Sequence, residues 1–266
     1  MHSADQKLLA HGEHKGRSDT VDQQTKAALK KDKFVTTTTH GLEWASENRR
    51  SVITTTAILL AAIVVVVLSG VIYNNRSDAA SAAFGAAMQA YQTPLSQAGQ
   101  PVPSGVKTYT SAAERAKAAN AMFVAVADKY GMTPSGGNAR YFAGLTEIEA
   151  GQTQLAEDTL KKVAGGWDSN LAALAKFALA QMYHDTGRDP QAIDLYKELA
   201  KKPGTATIPS GLAQLQLAEL YTDEGKSADA RTIYATLKQD DAKGPAGAIA
   251  SEKLNPAPAQ PMAPPQ

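Results

Sequence analysis

Apolar residues recur along most of this chain with the spacing of an α-helix, but one segment is apolar without interruption. Residues 52–73 read VITTTAILLAAIVVVVLSGVIY and carry no charged side chain. A helix of this length spans about 33 Å, which exceeds the hydrocarbon thickness of a bilayer, about 30 Å. A core helix of a small soluble domain normally keeps a polar face, and residues 57–68 have none. The pattern predicts a single transmembrane helix over 52–73.

The flanking residues indicate how this helix is oriented. A cleaved signal peptide has a shorter apolar stretch nearer the start of the chain, so the segment is interpreted as an uncleaved signal anchor. Basic residues precede the segment at Lys26, Lys30, Lys31, Lys33, Arg49 and Arg50. Among the thirty residues after it, Arg76 is the only basic residue. The positive-inside rule places the N-terminus in the cytoplasm and the C-terminal part outside, which is the periplasm for a bacterial inner-membrane protein.

Composition divides the chain into four parts. Residues 1–51 form a polar cytoplasmic tail, 52–73 the transmembrane helix, 74–254 a helical-repeat domain and 255–266 a Pro-rich tail. The N-terminal tail holds four of the five histidines, but a metal site needs more ligands than they offer, so we interpret them as solvated. The Pro-rich end is expected to be disordered. The Pro-, Gly- and Ser-rich segment 92–108 is expected to be a loop between two helices.

Self-comparison of the C-terminal part shows an internal repeat. The stretches 143–164, 179–200 and 217–238 align without gaps. The positions they share are a small residue (Gly144, Ala180, Ala218), a glycine (Gly151, Gly187, Gly225), an alanine (Ala156, Ala192, Ala230) and a large residue four positions later (Leu160, Tyr196, Tyr234). The small residue allows two antiparallel helices to approach closely, and the glycine ends the first of them where a positive φ is needed. The alanine that follows the glycine (Ala156, Ala192, Ala230) is expected to be the packing contact on the second helix.

These units resemble tetratricopeptide repeats, although their spacings of 36 and 38 residues exceed the usual period of about 34. An unrelated helical bundle with glycine turns is the alternative, and three units in register favour the repeat. An earlier hairpin is predicted from 77–92 and 110–130, and Pro245–Leu254 is expected to cap the end of the array. The predicted fold is all-α: a transmembrane helix followed by a tetratricopeptide-like α-solenoid.

The order of these features resembles a more specific family. Glu43, Trp44, Glu47 and Asn48 precede the apolar segment, and Lys129–Pro134 (KYGMTP) joins the first hairpin to the repeats. Over about residues 41–240 this layout is similar to the bacterial ancillary SecYEG translocon subunit family. The resemblance implies an inner-membrane adaptor associated with the protein-export channel and with periplasmic chaperones. The sequence departs from that family in its longer N-terminal tail, its loop 92–108 and its Pro-rich end.

In tetratricopeptide proteins the first helix of each hairpin lines a binding groove. By that register the candidate groove residues are Tyr141, Leu145, Ile148, Phe177, Gln181, His184, Leu215, Glu219 and Thr222. The set is mixed apolar and polar and contains no Lys/Arg cluster that would clamp a terminal carboxylate. An apolar helix or an extended peptide is therefore the expected occupant.

The remaining composition argues against catalysis. The formal net charge of +1 gives no reason to expect nucleic acid, and the lack of cysteine excludes disulfides, thiolate chemistry and cysteine metal sites. His184 is the one histidine outside the N-terminal tail, and a solvated turn residue is favoured over a catalytic base. No phosphate loop, nucleophile elbow or metal signature is present. We expect no cofactor, no metal and no small-molecule substrate.

Three functions follow in order of preference. The first is a non-catalytic adaptor whose partners are translocon subunits, periplasmic chaperones or exported chains. The second is a scaffold of another cell-envelope complex, such as one for division or outer-membrane biogenesis. The third is a membrane-tethered enzyme, for which the sequence shows no catalytic cluster.

Overall fold

The computed structural model describes residues 47–96, 108–201 and 203–255. Nine α-helices lie wholly within these ranges. The only β-structure among the described residues is two isolated β-bridges. In chain order the helices are α1 (Arg49–Tyr91), α2 (Ala112–Tyr130), α3 (Pro134–Glu149), α4 (Thr153–Ala164), α5 (Ser169–Asp185), α6 (Asp189–Ala200), α7 (Ser210–Asp223), α8 (Ser227–Asp240) and α9 (Pro245–Leu254). The predicted all-α class is confirmed. The polar tail before residue 47, most of the predicted loop 92–108 and the Pro-rich end after residue 255 lie outside the described residues.

The described residues divide into two units between residues 71 and 72. In the first unit, the described residues belong mainly to the apolar part of α1. The most apolar stretch of this helix has no buried residue. The hydroxyls of Thr54 and Thr55 donate to the carbonyls of Arg50 and Ser51, at 3.0 and 2.8 Å, so these polar groups are satisfied within the helix. By length and composition, α1 is able to cross a membrane.

The second unit begins with the last turns of α1, which pack against α2 and α3 through aromatic rings. The ring centroid of Phe84 lies 5.8 Å from that of Phe123 and 5.7 Å from that of Phe142. Tyr91 meets the same two rings edge-on at 6.2 Å. Each such pair contributes about 0.5–1.5 kcal/mol beyond the apolar area it buries. These rings attach the end of α1 to the helical array.

Three helical hairpins follow: α3 with α4, α5 with α6, and α7 with α8. Between the two helices of each hairpin stands a glycine with positive φ: Gly151 at 75°, Gly187 at 70° and Gly225 at 77°. A β-carbon added at any of these glycines would meet no atom within 4 Å. The backbone conformation, rather than a lack of space, therefore requires glycine here.

Close helix approach requires small residues at other positions. A methyl group at Gly144 would lie 2.7 Å from the side chain of Leu160, so the leucine side chain or the helices would have to shift to accept one. The other small residues of the repeat are almost fully buried: Ala156, Ala180, Ala192, Ala218 and Ala230. Leu160, Tyr196 and Tyr234 are buried beside them. Van der Waals contact between closely spaced helices is the main packing interaction of the array.

One buried carboxylate links the first two hairpins. Glu157 of α4 accepts hydrogen bonds from Lys161 Nζ and Arg188 Nη1, both at 2.6 Å, and from the Tyr183 hydroxyl at 3.0 Å. The hydrogen bonds from Lys161 and Arg188 lower the pKa of Glu157 to about 2. Glu157 therefore stays ionised in the interior because its charge is paired and its oxygens are hydrogen-bonded.

The last helix packs against the third hairpin. Asp241 caps its N-terminus, because the carboxylate accepts hydrogen bonds from the backbone N–H groups of Ala246 at 3.0 Å and Gly247 at 3.2 Å. On α9, Ala246 and Ala250 are buried in the core of the third hairpin with Leu237. The helix thus covers apolar surface at the end of the array.

Two glycines, one in a turn and one within a helix, should respond to substitution by alanine with opposite changes in stability. Gly187→Ala should lower the free energy of unfolding by about 1–2 kcal/mol, because alanine is strained at positive φ. Gly85→Ala should raise it by about 0.5–1 kcal/mol, because Gly85 lies exposed within α1 and an added methyl group would meet no atom within 4 Å. Thermal unfolding of the detergent-solubilised chain, followed by circular dichroism, measures both. Stabilisation by both substitutions would contradict the positive-φ requirement.

The Glu157 network gives a second prediction. Glu157→Gln should cost about 1.5–3 kcal/mol at neutral pH, because it removes a buried charge that three donors share. The pKa of Glu157 is below the ordinary value of 4.5, so its stabilisation is complete above about 4.5 and is lost as the pH falls towards about 2. The matched control is Glu198→Gln, which breaks an exposed pair with Lys176 and should cost less than about 1 kcal/mol. Equal costs for the two variants in urea unfolding would refute this role.

Candidate protein-interaction surface

The first helices of the hairpins, α3, α5 and α7, carry the nine residues predicted to line a groove. Four of them are half-buried apolar side chains that pack against the core of the first two hairpins: Tyr141, Leu145, Ile148 and Phe177. Their exposed edges form what we call the apolar strip. Burial raises the pKa of Tyr141, so its hydroxyl stays neutral at physiological pH. The strip therefore gives a partner an apolar contact area and one hydrogen-bonding group, the Tyr141 hydroxyl.

The other predicted groove residues differ in how far they are accessible. Gln181 and Thr222 are exposed, and Glu219 is half-buried. Leu215 is 7 % exposed and lies in the core of the third hairpin, so it presents little side chain to a partner. Glu219 already accepts a hydrogen bond from Gln216 at 2.8 Å and pairs with Lys253 of α9 at 3.1 Å. On α7, then, polar residues take the place of the apolar strip.

His184 connects three helices at this surface. Its Nδ1 lies 2.8 Å from Asp189 Oδ1 at the start of α6, and its Nε2 lies 3.7 Å from Asp223 Oδ2 at the end of α7. The hydrogen bond to Asp189, with the charges of Asp223 and Asp185, raises the pKa of His184. The sequence indicated a solvated turn residue. The structure instead shows a half-buried imidazole in an acidic cluster, formed by carboxylates on three helices.

Together these residues define a surface with two chemical parts. The apolar strip lies on α3 and α5, and the acidic cluster of Asp185, Asp189 and Asp223 lies around His184. At the C-terminal end of α3, Glu149 accepts a hydrogen bond from the hydroxyl of Tyr91 in α1. The acidic cluster is absent from the sequence prediction, because Asp223 comes near His184 only through the packing of α7 against the second hairpin.

Within residues 47–96, 108–201 and 203–255, no group of three or more histidines, cysteines or carboxylates is arranged to hold a metal ion. The arrangement found at His184 is one imidazole held by carboxylates, which suits an ion pair.

Comparison with known proteins identifies the class of this fold. The family described as "Tetratricopeptide repeat-like domain" matches residues 43–255, and the chain belongs to that family. Domains of this kind generally serve as scaffolds for protein interaction. Helices α3–α8 are thus the three tetratricopeptide-like hairpins that the sequence repeat predicted.

Solved structures give a weaker likeness. Two crystal structures of the nearly identical TPR-like repeats of a putative kinesin light chain from Podosopora anserina, one of them a variant with a single substitution, match with 18% identity. The matches cover 53% of this chain and 76% of that chain, with TM-scores of 0.42 and 0.43. A likeness of this degree supports no statement about function. No curated protein matches the chain.

The His184 cluster predicts a pH dependence. The pKa of His184 is raised above its ordinary value of 6.5, so the ion pair stabilises the fold fully below that value and is lost as the pH rises through the folded pKa. The stability difference between the wild type and His184→Gln should therefore be larger at about pH 5.5 than at about pH 8.5.

Asp189→Asn should lower the pKa of His184, measured by NMR titration of its ring protons, because it removes the main hydrogen-bond acceptor. Asp158→Asn on the exposed face of α4 is the control and should leave the titration unchanged. A wild-type pKa at or below 6.5 would contradict the ion pair.

Proposed function

We propose that this chain is a membrane-anchored, non-catalytic adaptor that binds proteins through the first helices of its tetratricopeptide-like hairpins. The observation that carries the proposal is the apolar strip on α3 and α5, beside the acidic cluster, in a domain family that generally mediates protein contacts. Half-buried aromatic and aliphatic side chains on a rigid scaffold are typical of interaction surfaces.

The apolar part of α1 is the proposed anchor. It is long enough to cross a bilayer, its large side chains from Ile53 to Tyr73 are exposed, and the hydroxyls of Thr54 and Thr55 are hydrogen-bonded within the helix. Basic residues concentrate before it, which supports a cytoplasmic N-terminus and a periplasmic domain at a bacterial inner membrane. The anchor would keep the domain beside membrane machinery.

The chemistry of the surface restricts the partner. A segment that fits both parts carries apolar side chains for the strip and basic side chains for the acidic cluster. Exported chains and their chaperones expose apolar segments, and the layout of residues 41–240 resembles the ancillary SecYEG translocon subunits. We therefore propose translocon subunits, periplasmic chaperones or emerging chains as the partners.

Site-specific photo-crosslinking in cells tests this proposal. The photoreactive residue is placed at Tyr141 and Gln181 on the surface, and at Gln191 on the exposed face of α6 as a matched control for Gln181. Adducts with translocon subunits, exported chains or periplasmic chaperones are expected from the two surface positions, and few or none from Gln191. Mass spectrometry identifies the captured proteins.

Each alternative gives a different pattern. Capture of a division or outer-membrane complex alone would replace the translocon assignment by another envelope scaffold. Equal capture from Gln191 would refute the binding surface, and capture of cytoplasmic proteins alone would refute the topology.

A further inference from the structure

Two loops of the second unit carry the most exposed large hydrophobic side chains of the described residues. Met132 is 89% exposed in the turn between α2 and α3, and Trp167 is 88% exposed in the loop between α4 and α5. Along the apolar part of α1 the highest value is 70%, at Val66. Water-exposed tryptophan and methionine cost hydration free energy, and an adjoining apolar phase would remove that cost.

The two loops border neighbouring clefts. A cleft of about 480 Å³ is lined by Met132 together with Tyr73 and Arg76 of α1. A second cleft is lined by Trp167, and Gly131, Thr133 and Arg140 line both. The exposed side chains of Met132 and Trp167 therefore belong to one continuous region of the second unit, which we call the loop surface.

Basic residues surround this region. Arg76, Lys129 and Arg140 line the first cleft, and Arg140 and Lys162 line the second. The carboxylates at these clefts are Asp128 and Asp168. Asp168 is already engaged, because it accepts hydrogen bonds from the N–H groups of Asn170 and Leu171 as the cap of α5. The balance of charge on the loop surface is positive.

The loop surface includes Tyr73, the last residue of the apolar run 52–73 in the sequence. Arg76 follows Tyr73 one helical turn later, about 4.5 Å along the axis. Arg76 Nη2 donates a hydrogen bond to the carbonyl of Lys129 at 2.7 Å, which fixes the end of α2 beside this turn of α1. If the run spans a bilayer, this contact is at the depth of the lipid headgroups.

We propose that the loop surface contacts the bilayer that the anchor crosses. Met132 and Trp167 enter the interfacial layer, and Lys129, Arg140 and Lys162 contact the phosphates of anionic lipids. Tryptophan prefers this layer, and basic side chains extend to lipid phosphates there. The proposal rests on the proposed membrane anchor and adds a second contact, which holds the repeat domain against the membrane surface.

The lack of cysteine in this chain allows a direct test by single labels. An environment-sensitive fluorophore is attached to Met132→Cys, Trp167→Cys and, as control, Ile249→Cys, which lies on an exposed face of α9. The full chain is reconstituted into nanodiscs of phosphatidylethanolamine and phosphatidylglycerol that contain lipids spin-labelled near the headgroup. Quenching at 132 and 167 should be at least about twofold stronger than at 249.

A fourth label, Val65→Cys, separates this proposal from the anchor on which it rests, since Val65 lies within the apolar run. Quenching at 65 by deep spin labels, with none at 132 and 167 beyond that at 249, overturns the loop contact and leaves the anchor. Absence of quenching at 65 overturns the anchor itself.

Charge reversal tests the proposed contact between the basic side chains and lipid phosphates. The double substitution Lys129→Glu and Lys162→Glu should reduce quenching at 132 and 167 by about half or more in anionic nanodiscs, because it reverses the charges that face the phosphates. Circular dichroism checks that the variant keeps its helices. Unchanged quenching in this variant, or equal quenching in purely zwitterionic nanodiscs, overturns the part assigned to lipid phosphates.

Discussion

The architecture of the second unit depends on the distance at which paired helices approach each other. At Gly144 a single methyl group would meet Leu160, and Ala180 and Ala218 are fully buried at the equivalent positions. Close approach lets the large side chains of the second helices fill the space between hairpins. It also requires an abrupt chain reversal, which Gly151, Gly187 and Gly225 provide with their positive φ. Helix spacing and turn geometry are therefore one constraint, repeated three times.

That constraint also accounts for the mixed apolar and polar chemistry of the proposed interaction surface. With the cores closed by alanine, leucine and tyrosine, the aromatic and aliphatic residues left over on α3 and α5 are only half-buried. Where the repeat departs from its pattern, polar neighbours compensate in part: one oxygen of Glu147 lies 3.5 Å from the Asn120 amide nitrogen, and the other, Oε2, is buried without a hydrogen-bond partner. Glu147 takes the position held by Tyr183 and Tyr221 in the later hairpins, and it is buried beside Asn120 and Thr146. The first hairpin faces α2 rather than another repeat, which provides that polar neighbour.

Local signals in the sequence were sufficient for the helices, the glycine turns and the apolar run, because each depends on spacing within one element. The predicted hairpin ahead of the repeats is present, although its first helix is the end of the long α1. Contacts between elements were beyond local patterns. Asp223 reaches His184 from 39 positions away, and Leu215 turns into its core, because both depend on how neighbouring helices pack. The exposure of Met132 and Trp167 likewise depends on loop conformation, which hydrophobic periodicity does not encode.

The central claim is that the first helices of the hairpins bind a protein partner. Hydrogen exchange of the full chain in nanodiscs, with and without the protein captured by crosslinking from Gln181, tests it most directly. Binding should slow amide exchange in α3 and α5, where the apolar strip lies, and leave the exposed faces of α4, α6 and α8 unchanged. Protection confined to α4, α6 and α8, or no change in any helix of the domain, would contradict it.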